Sequence, residues 1–446
     1  MKKLLVALLL VFALLLPSAC GKTGENSSAP ESPDTSFAQS VEVSEKTGDI
    51  SAVSEESSEE ISEISEETSE EVSEISEISE ETSEEESVFF DPSTLFEVTA
   101  PEGTFDIHAE DQRAFVFSGS TDSIQSLADG WHECSKPRAY AVDFAVVRDN
   151  APFELGRFDG VSAVLDTDPA FTDPKVITTY EKTGSGFRVE FGNLLLDAKY
   201  YYRLRVKYGA DTYESAVYEF YTSAYAPRNL NVEGVSNVRD LGGWFIDDSH
   251  RVKQGLIFRG AAYEDLQYGT HITQRGTVQA LGDLGVKTEI ELRWISVGEI
   301  ESRTGSLLGE GVNYYEYEFN YDTPQLLVGN KQSIANCFAR FADETQYPIY
   351  YHCRIGTDRT GVLSYLLLGM LGVPKEQLLT DYLFSNFGYV GGNRSVSTIQ
   401  SAYIDVLDSY GGETLQQKIT NYLINECGVT EEQIEKIKEL LTEELY

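Results

Sequence analysis

Short runs of alternating apolar and polar residues characterise the chain between about residues 95 and 225. The clearest run spans 200–208, where every second residue is apolar and basic residues stand between them. A period of two is the pattern of a half-buried β-strand. Residues 215–222 repeat it, with Ala216, Tyr218 and Phe220 on one face. Several such strands in roughly 130 residues predict an antiparallel β-sandwich, which we assign to residues 89–225.

A different pattern begins at Ala226-Pro227 and continues to residue 446. Strand-like segments at 287–292 and 313–319 alternate with helix-like segments such as 332–343. In the latter, Ile334, Phe338 and Phe341 are spaced for one face of a helix. The alternation predicts an α/β fold, a sheet flanked by helices, and residues 226–446 are enough to bury its core.

Residues 21–88 are dominated by Ser and Glu, and the eleven residues at 61–71 recur letter for letter at 75–85. Residues 51–87 hold 16 Glu and no Lys or Arg. Such a segment buries too little apolar surface to offset its conformational entropy, so we predict a disordered stalk. The fourteen-residue offset also places isoleucines on heptad positions, which leaves a weak coiled coil as the alternative.

The first twenty residues have the pattern of an export signal. Two lysines precede an apolar run from Leu4 to Leu16, which is too short to span a bilayer. The end of this segment, Leu-Pro-Ser-Ala-Cys, resembles a bacterial lipobox, although Pro17 departs from it. The resemblance implies that Cys20 is lipidated and that the protein is tethered to the outer face of the cytoplasmic membrane. The alternative is an ordinary cleaved signal peptide at 1–20.

Charge and cysteine usage narrow the possible partners. The formal net charge is −40, and residues 226–446 carry 18 Lys and Arg against 30 Asp and Glu. This balance disfavours nucleic acid, anionic membrane surfaces and highly phosphorylated ligands as partners. Besides Cys20, four widely separated cysteines remain, and their spacing does not suggest a disulfide framework. At least one of them is a candidate for reactivity.

The stretch Tyr-His-Cys-Arg-Ile-Gly-Thr-Asp-Arg-Thr-Gly at 351–361 carries the candidate chemistry. A β-branched and aromatic strand precedes it, and a helix-favouring run from 361 ends near Gly372 and Pro374. Residues 353–359 are therefore predicted to be a loop at a helix N-terminus, which favours a bound anion such as phosphate. There Cys353 would be a thiolate, Arg359 would bind two phosphate oxygens, and Gly356 would let the backbone turn.

At these residues the chain resembles a known family. His352-Cys353, five residues and Arg359-Thr360-Gly361 match the signature loop of the protein tyrosine phosphatase superfamily. Segments at 237–243, 252–259, 284–293 and 381–386 resemble its bacterial tyrosine/dual-specificity branch, so the similarity covers about 229–440. Two departures are Thr357, where the branch usually has Lys, and Glu291, where it favours Asp. The missing Lys weakens a phosphoinositide assignment.

The resemblance implies a two-step reaction without metal or cofactor. Cys353 attacks phosphorus, and water hydrolyses the phosphocysteine. Residues 354–359 (Arg354, Ile355, Gly356, Thr357, Asp358 and Arg359) would bind the phosphate, and Thr360 would help the sulfur leave. His352 would brace the loop, or is simply a hydrogen-bonded core histidine. The general acid is left open between Asp322 and Asp358; Asp358 is favoured as required for activity.

Residues 194–203 resemble the late strands of a fibronectin type III-like domain, a similarity of about thirty residues. It implies a spacer or adhesion role for the predicted sandwich. Three functions therefore compete. The first is an exported phosphatase acting on phosphotyrosine or related phosphomonoesters, and the second is the same chemistry on phosphoinositides or inositol phosphates. The third is a non-catalytic phosphate-binding or adhesion lipoprotein, disfavoured because both Cys353 and Arg359 are present.

Overall fold

The computed structural model describes residues 92–118, 135–147, 158–184, 186–321, 326–388, 394–401 and 405–445. The signal segment with Cys20, the stalk at 21–88 and the general-acid candidate Asp322 lie outside these ranges and remain predictions. The described residues lie within one compact unit. Within the described ranges, no helix combines the length and the apolar character that crossing a bilayer requires.

The described residues between 92 and 225, here called the sandwich region, contain ten strands. In chain order they are β1 (Phe96–Thr99), β2 (Thr104–Phe105), β3 (Tyr140–Val146), β4 (Gly160–Asp166), β5 (Lys175–Ile177), β6 (Tyr180–Thr183), β7 (Gly186–Phe191), β8 (Lys199–Tyr208), β9 (Asp211–Glu214) and β10 (Tyr218–Thr222). One sheet has the order β1-β3-β7-β6, and the other has the order β2-β10-β8-β4-β5 with β9 paired to β8. Helix α1 (Glu110–Ser118) lies between β2 and β3 in the chain.

Alternation along the strands produces the core of the sandwich region. Tyr202, Leu204 and Val206 of β8 are at most 1% exposed, as the period of two predicts. Tyr140 of one sheet stacks on Phe220 of the other, with ring centroids 3.7 Å apart and planes 8° from parallel. The two sheets therefore share one apolar core, while the resemblance to fibronectin type III stays a prediction.

The described residues from 226 to 445, here called the C-terminal region, alternate strands and helices. The strands are β11 (Arg228–Asn229), β12 (Arg239–Asp240), β13 (His250–Val252), β14 (Ile257–Gly260), β15 (Glu264–Asp265), β16 (Thr270–His271), β17 (Thr288–Glu291), β18 (Asn313–Glu316), β19 (Ile349–His352) and β20 (Thr442–Glu444). The helices are α2 (Gln274–Val278), α3 (Leu326–Gly329), α4 (Lys331–Phe341), α5 (Asp358–Leu371), α6 (Lys375–Phe384), α7 (Val396–Ile399), α8 (Asp405–Leu407), α9 (Leu415–Tyr422) and α10 (Glu431–Leu441).

The main sheet of the C-terminal region has the order β11-β12-β14-β19-β17-β18. Strand β19 lies between β14 and β17 and runs parallel to both. Ile334, Phe338 and Phe341 of α4 are fully buried, in agreement with the predicted helix face. Helix α5 ends at Gly372, whose φ of 102° is left-handed, where the sequence predicts the stop. The predicted mixed α/β architecture is therefore confirmed.

Hydrogen bonds join the two regions at several places. The Arg228 guanidinium donates to the carbonyl oxygens of Leu194 (2.8 Å) and Asn193 (2.7 Å). The Gln254 amide accepts from Leu196 N–H (2.8 Å) and donates to Leu196 O (2.9 Å). Buried His108 contacts the carbonyl oxygen of Pro227 through Nε2 at 2.9 Å. These contacts are specific and largely buried, so the sandwich region supports the C-terminal region directly.

Candidate active site

Cys353 lies between the C-terminal end of the central strand β19 and the N-terminus of α5, and is 2% exposed. The connecting loop is 353–357, two residues shorter than the sequence predicts, because α5 already begins at Asp358. Asp358 in the first turn is favourable beside the unpaired N–H groups and positive dipole end of the helix. Consequently Asp358, Arg359 and Thr360 are helical residues rather than loop residues.

The carbonyl groups of the loop are bound from behind. Asn237 Nδ2 donates to Ile355 O and Gly356 O, both at 3.1 Å. Arg259 Nη2 donates to Gly356 O at 2.7 Å and Thr357 O at 3.3 Å. In a trans peptide the N–H points away from the C=O. The N–H groups that follow these carbonyls are therefore directed away from Asn237 and Arg259, which is the arrangement of an anion-binding loop.

Gly356 is required by the shape of this loop. Its φ is +71°, and a Cβ at this position would lie 2.2 Å from the carbonyl carbon and oxygen of Gly260 at the end of β14. A side chain there would be strained and would push the loop away from the sheet. The turn predicted from the sequence is present, and its close approach is to β14.

A buried ion network orients Asn237 and Arg259, the two residues that bind the loop carbonyls. Asp381 of α6 accepts from Arg239 Nε at 2.8 Å and from Arg259 Nη1 at 2.7 Å. Arg239 Nη1 also donates to Asn237 Oδ1 at 2.7 Å, which directs the amide nitrogen of Asn237 towards the loop. Burial alone would raise the pKa of the Asp381 carboxyl, but the two arginines hold it below its ordinary value. The sequence alone assigns none of these roles to Arg239, Arg259 or Asp381, which lie in segments that resemble the bacterial phosphatase branch.

Arg359 is 5% exposed and its guanidinium is held at one edge by Glu299. Nη1 and Nη2 donate to the two carboxylate oxygens of Glu299 at 2.5 and 2.7 Å, while Nε has no hydrogen-bond partner. Burial would raise the pKa of Glu299, but Arg359 holds it below its ordinary value. The guanidinium is thus fixed in orientation, and its Nε–H is still available to an oxyanion. Sequence reasoning missed Glu299, which stands sixty residues before Arg359.

Asp358 is bonded at both carboxylate oxygens. Arg394 donates to Oδ1 through Nε at 3.0 Å and to Oδ2 through Nη2 at 2.8 Å. The hydroxyls of Tyr382 and Tyr321 donate to the same carboxylate at 3.0 and 3.3 Å. The ring of Tyr321 also lies over Arg359, 5.4 Å from the guanidinium carbon. Asp358 therefore connects helix α5 to two tyrosines and to Arg394 beside the loop.

Behind the loop, His352 is fully buried between two glutamates of β17. Its Nε2 lies 2.9 Å from Glu289 Oε1, and its Nδ1 lies 3.6 Å from Glu291 Oε1. Arg293 Nη2 donates to Glu291 Oε2 at 2.6 Å, and Ser306 donates to Glu289. Burial would raise the pKa of Glu291, but His352 and Arg293 hold it below its ordinary value. Two carboxylates and an imidazole are residue types that can bind a metal ion. Here their contacts with one another and with Arg293 explain why they lie together.

The remaining predicted residues are Arg354 and Thr357 within the loop and Thr360 in the first turn of α5. Arg354 approaches Asp265 Oδ2 at 2.9 Å, donates to Gln267 at 2.6 Å, and lies over the ring of Tyr268. Thr357 is fully buried, and its hydroxyl accepts from Asn237 at 3.4 Å. The Thr360 hydroxyl is buried without a hydrogen-bond partner. A thiol at a helix N-terminus, outward N–H groups and a fixed arginine together suit nucleophilic attack on a tetrahedral oxyanion.

Comparison with known proteins agrees with this geometry. Residues 230–443 match the model of the tyrosine phosphatase family. A protein of Cupriavidus necator named as a tyrosine-protein phosphatase is 25% identical over 190 residues, which are 37% of this chain and 65% of that protein. A tyrosine-protein phosphatase of Nostoc commune is 27% identical over 128 residues, 24% of this chain and 42% of that protein. The chain thus spans less than two thirds of the length of either relative.

Among solved structures, the core catalytic domain of the PP-IP phosphatase SIW14 from S. cerevisiae matches with 14% identity and a TM-score of 0.25. The match covers 39% of this chain and 93% of that chain. The structure of PTPMT1 matches with 12% identity and a TM-score of 0.25, covering 42% and 98% of the two chains.

Proposed function

We propose that the C-terminal region is a cysteine-dependent phosphatase that hydrolyses phosphotyrosine and related phosphomonoesters of proteins. The observation that carries the proposal is the position of Cys353 at the N-terminus of α5, beneath a loop whose carbonyl groups are bound by Asn237 and Arg259. This arrangement favours the thiolate and offers outward N–H groups to three phosphate oxygens. Arg359 supplies a fixed cationic donor beside them.

The reaction would proceed in two displacements. In the first, the sulfur of Cys353 forms a bond to phosphorus while the bond from phosphorus to the leaving oxygen breaks, and the leaving oxygen takes a proton from the general acid. In the second, water attacks phosphorus and gives a proton to the carboxylate that the general acid became in the first step. The P–S bond breaks, and inorganic phosphate and the thiolate are released. Loop N–H groups and Arg359 would stabilise charge on the equatorial oxygens in both steps. The unpartnered Thr360 hydroxyl is suited to stabilising the departing sulfur.

The contacts of Asp358 support a positioning role for this residue. Its two oxygens already accept from Arg394, Tyr382 and Tyr321, so an additional proton would displace an existing donor. We therefore favour Asp322 as the general acid and Asp358 as a required acceptor. Asp322→Asn should slow poor leaving groups far more than good ones and flatten the basic limb of the pH profile. Asp358→Asn should slow both classes alike, and the reverse pattern would exchange the two roles.

The charge balance around the site supports a single phosphate group on the substrate. Arg354 lies beside Asp265, Arg359 beside Glu299, and Arg394 beside Asp358. Thr357, which replaces the Lys usual in the branch, is buried and adds no charge at the mouth. Among the described residues at the loop, these pairings leave no unpaired arginine for the further phosphates of a polyphosphorylated ligand. The ring of Tyr321 above Arg359 also favours an aryl leaving group.

The deciding experiment compares substrates with the full chain. Initial rates of phosphate release should be measured on a phosphotyrosine peptide, a phosphoserine peptide, soluble phosphoinositides and inositol phosphates. We expect the phosphotyrosine peptide to have the highest kcat/KM and Cys353→Ser to abolish every activity. A higher kcat/KM on a phosphoinositide would favour the second candidate function. Absence of turnover on all four, with a folded protein, would favour the non-catalytic alternative.

We further propose, from the sequence of residues 1–20, that this phosphatase acts outside the cytoplasm and is attached to the membrane by a lipid anchor. Cys20→Ala should release the protein into the medium or arrest its processing. Immunoblots of membrane and soluble fractions would measure this. Fractionation of the variant with membranes, as for the wild type, would contradict the anchor.

A further inference from the structure

A cavity of about 660 Å³ lies where the sandwich region meets the C-terminal region. From the sandwich region it is lined by Gln112 and residues 135–137. From the C-terminal region it is lined by residues within 229–237, 268–270 and 384–388. Its volume is in the range of small-molecule sites, which commonly lie between domains. Neither Cys353 nor Arg359 lines it, so it is separate from the phosphate site.

The lining has a composition unusual for so acidic a chain. The protein has 74 acidic residues and a formal net charge of −40, yet no described residue that lines the cavity is acidic. Lys136 is the charged member, and the described residues give it no ion-pair partner. Tyr268, Phe384 and Phe387 contribute aromatic rings, and Leu230 and Val232 add aliphatic surface. A ligand with a negative group and an apolar body would match both properties.

Asn229 supplies an independent indication of a missing acceptor. It lines the cavity, is 6% exposed, and its side-chain Nδ2 is buried without a hydrogen-bond partner. A buried amide donor left unpaired is costly and uncommon in proteins. Rotation of this amide about its last torsion would let it donate to an oxygen of a bound ligand.

Two of the residues that line the cavity also contact the loop at 353–357, here called the phosphate loop. Asn237 donates to the carbonyls of Ile355 and Gly356. Tyr268 lies under the guanidinium of Arg354, with its ring centre 5.6 Å from the guanidinium carbon. A ligand that packs against these side chains would restrict them in the positions that hold the loop. Binding in the cavity and binding in the loop should then favour each other, and to the same extent.

We propose that this cavity binds a small organic anion, one that joins a carboxylate or sulfonate to an apolar ring, and that its occupation is coupled to anion binding by the phosphate loop. The binding part is independent of the proposed phosphatase function, whereas the coupling rests on it. The site would make the sandwich region part of a sensor for such an anion.

The test uses 1-anilinonaphthalene-8-sulfonate as a fluorescent probe of this chemical class, titrated into the folded full chain. We expect saturable binding with one site per molecule. Lys136→Glu should lower the affinity for the probe at least tenfold. Val235→Trp, which fills the cavity, should remove the saturable phase. Lys182→Glu, an exposed lysine on β6 outside the cavity, is the matched control and should leave the affinity unchanged.

A second titration in excess inorganic phosphate measures the coupling. We expect phosphate to increase the affinity of the wild type for the probe several-fold. In Arg359→Ala, which lacks the phosphate-binding guanidinium, phosphate should leave that affinity unchanged. Non-saturable fluorescence, or equal affinity of Lys136→Glu and the wild type for the probe, would overturn the site. Saturable binding that ignores phosphate would overturn the coupling. Loss of catalytic turnover alone, with these titrations unchanged, would bear only on the proposed function.

Discussion

The sandwich region packs its two sheets around aromatic and aliphatic side chains, whereas the C-terminal region buries arginines and carboxylates beside its loop. In the former, the core is built from residues such as Tyr140, Leu204 and Phe220, each at most 4% exposed. In the latter, Arg239, Arg259 and Asp381 are between 0 and 3% exposed. Apolar burial stabilises without directional demands, but a buried charge costs free energy unless it is paired and hydrogen-bonded.

The difference shows where directional contacts are needed. A buried ion pair contributes little net stability compared with well-packed hydrocarbon, so stability alone does not explain Arg239, Arg259 and Asp381. Their donors fix the amide of Asn237 and the carbonyls of Gly356 and Thr357. The buried charges of the C-terminal region thus hold the loop beside Cys353 in one geometry, whereas the core of the sandwich region is mainly apolar.

The largest expected effect comes from breaking the buried network. Asp381→Asn removes the carboxylate that pairs with both buried guanidinium groups, which should lower the free energy of unfolding by about 3–5 kcal/mol. It should also lower turnover, because Arg259 and Asn237 lose their orientation. Urea denaturation and initial rates on a phosphotyrosine peptide measure the two effects.

The matched control lies in the sandwich region. Asp143 pairs with Arg188 at 2.7 Å, but both side chains are about 40% exposed. Asp143→Asn should therefore change stability and turnover little. Comparable losses in both variants would show that burial does not distinguish the two pairs.

A smaller effect is expected from thinning the apolar core of the sandwich region. Phe220→Leu removes about three carbons from a fully packed site and should lower the free energy of unfolding by about 2 kcal/mol. Turnover per folded molecule should stay the same, since the ring at 220 contacts Tyr140 and its neighbours rather than the loop. A fall in kcat under conditions where the variant is folded would mean that the sandwich core also shapes the active site.

Substitution of Tyr321 should change the preference between substrate classes. Removing its ring by Tyr321→Ala should lower the ratio of kcat/KM for aryl over alkyl phosphates by up to about tenfold, the size of one aromatic contact. Tyr321→Phe keeps the ring and loses the bond to Asp358, so its ratio should remain close to that of the wild type. An equal loss on both substrate classes in Tyr321→Ala would assign the residue a structural role instead.

The smallest effect concerns pH. The pKa of Glu299 is held below its ordinary value of 4.5, so its bond to Arg359 stabilises the fold above about pH 4.5 and is lost as pH falls through the lowered pKa. The difference in unfolding free energy between wild type and Glu299→Gln should be constant from about pH 5 to 7, at roughly 1 kcal/mol, and shrink below that range. A difference that grows on acidification would contradict the pair.

Local patterns in the sequence predicted a large part of this structure. The alternation along β8, the face of α4, the stop of α5 at Gly372 and the strand–loop–helix order around Cys353 all depend on neighbours within a few residues. The loop boundary was wrong by two residues because the first turn of a helix leaves little periodicity to detect. The disordered stalk and the lipidated Cys20 also come from composition and motif, and they remain predictions.

Residue type and nearby spacing were enough to predict many of the elements, the candidate nucleophile Cys353 and Arg359. Only the tertiary structure decided the partners. Asn237 and Ile355 are 118 residues apart, Arg239 and Asp381 are 142 apart, and Asp358 and Arg394 are 36 apart. The cavity between the sandwich region and the C-terminal region likewise forms only when both regions are in contact. Such pairs depend on which strand lies beside β19 and which helix packs over it, and the packing of distant elements leaves no periodic trace along a single chain.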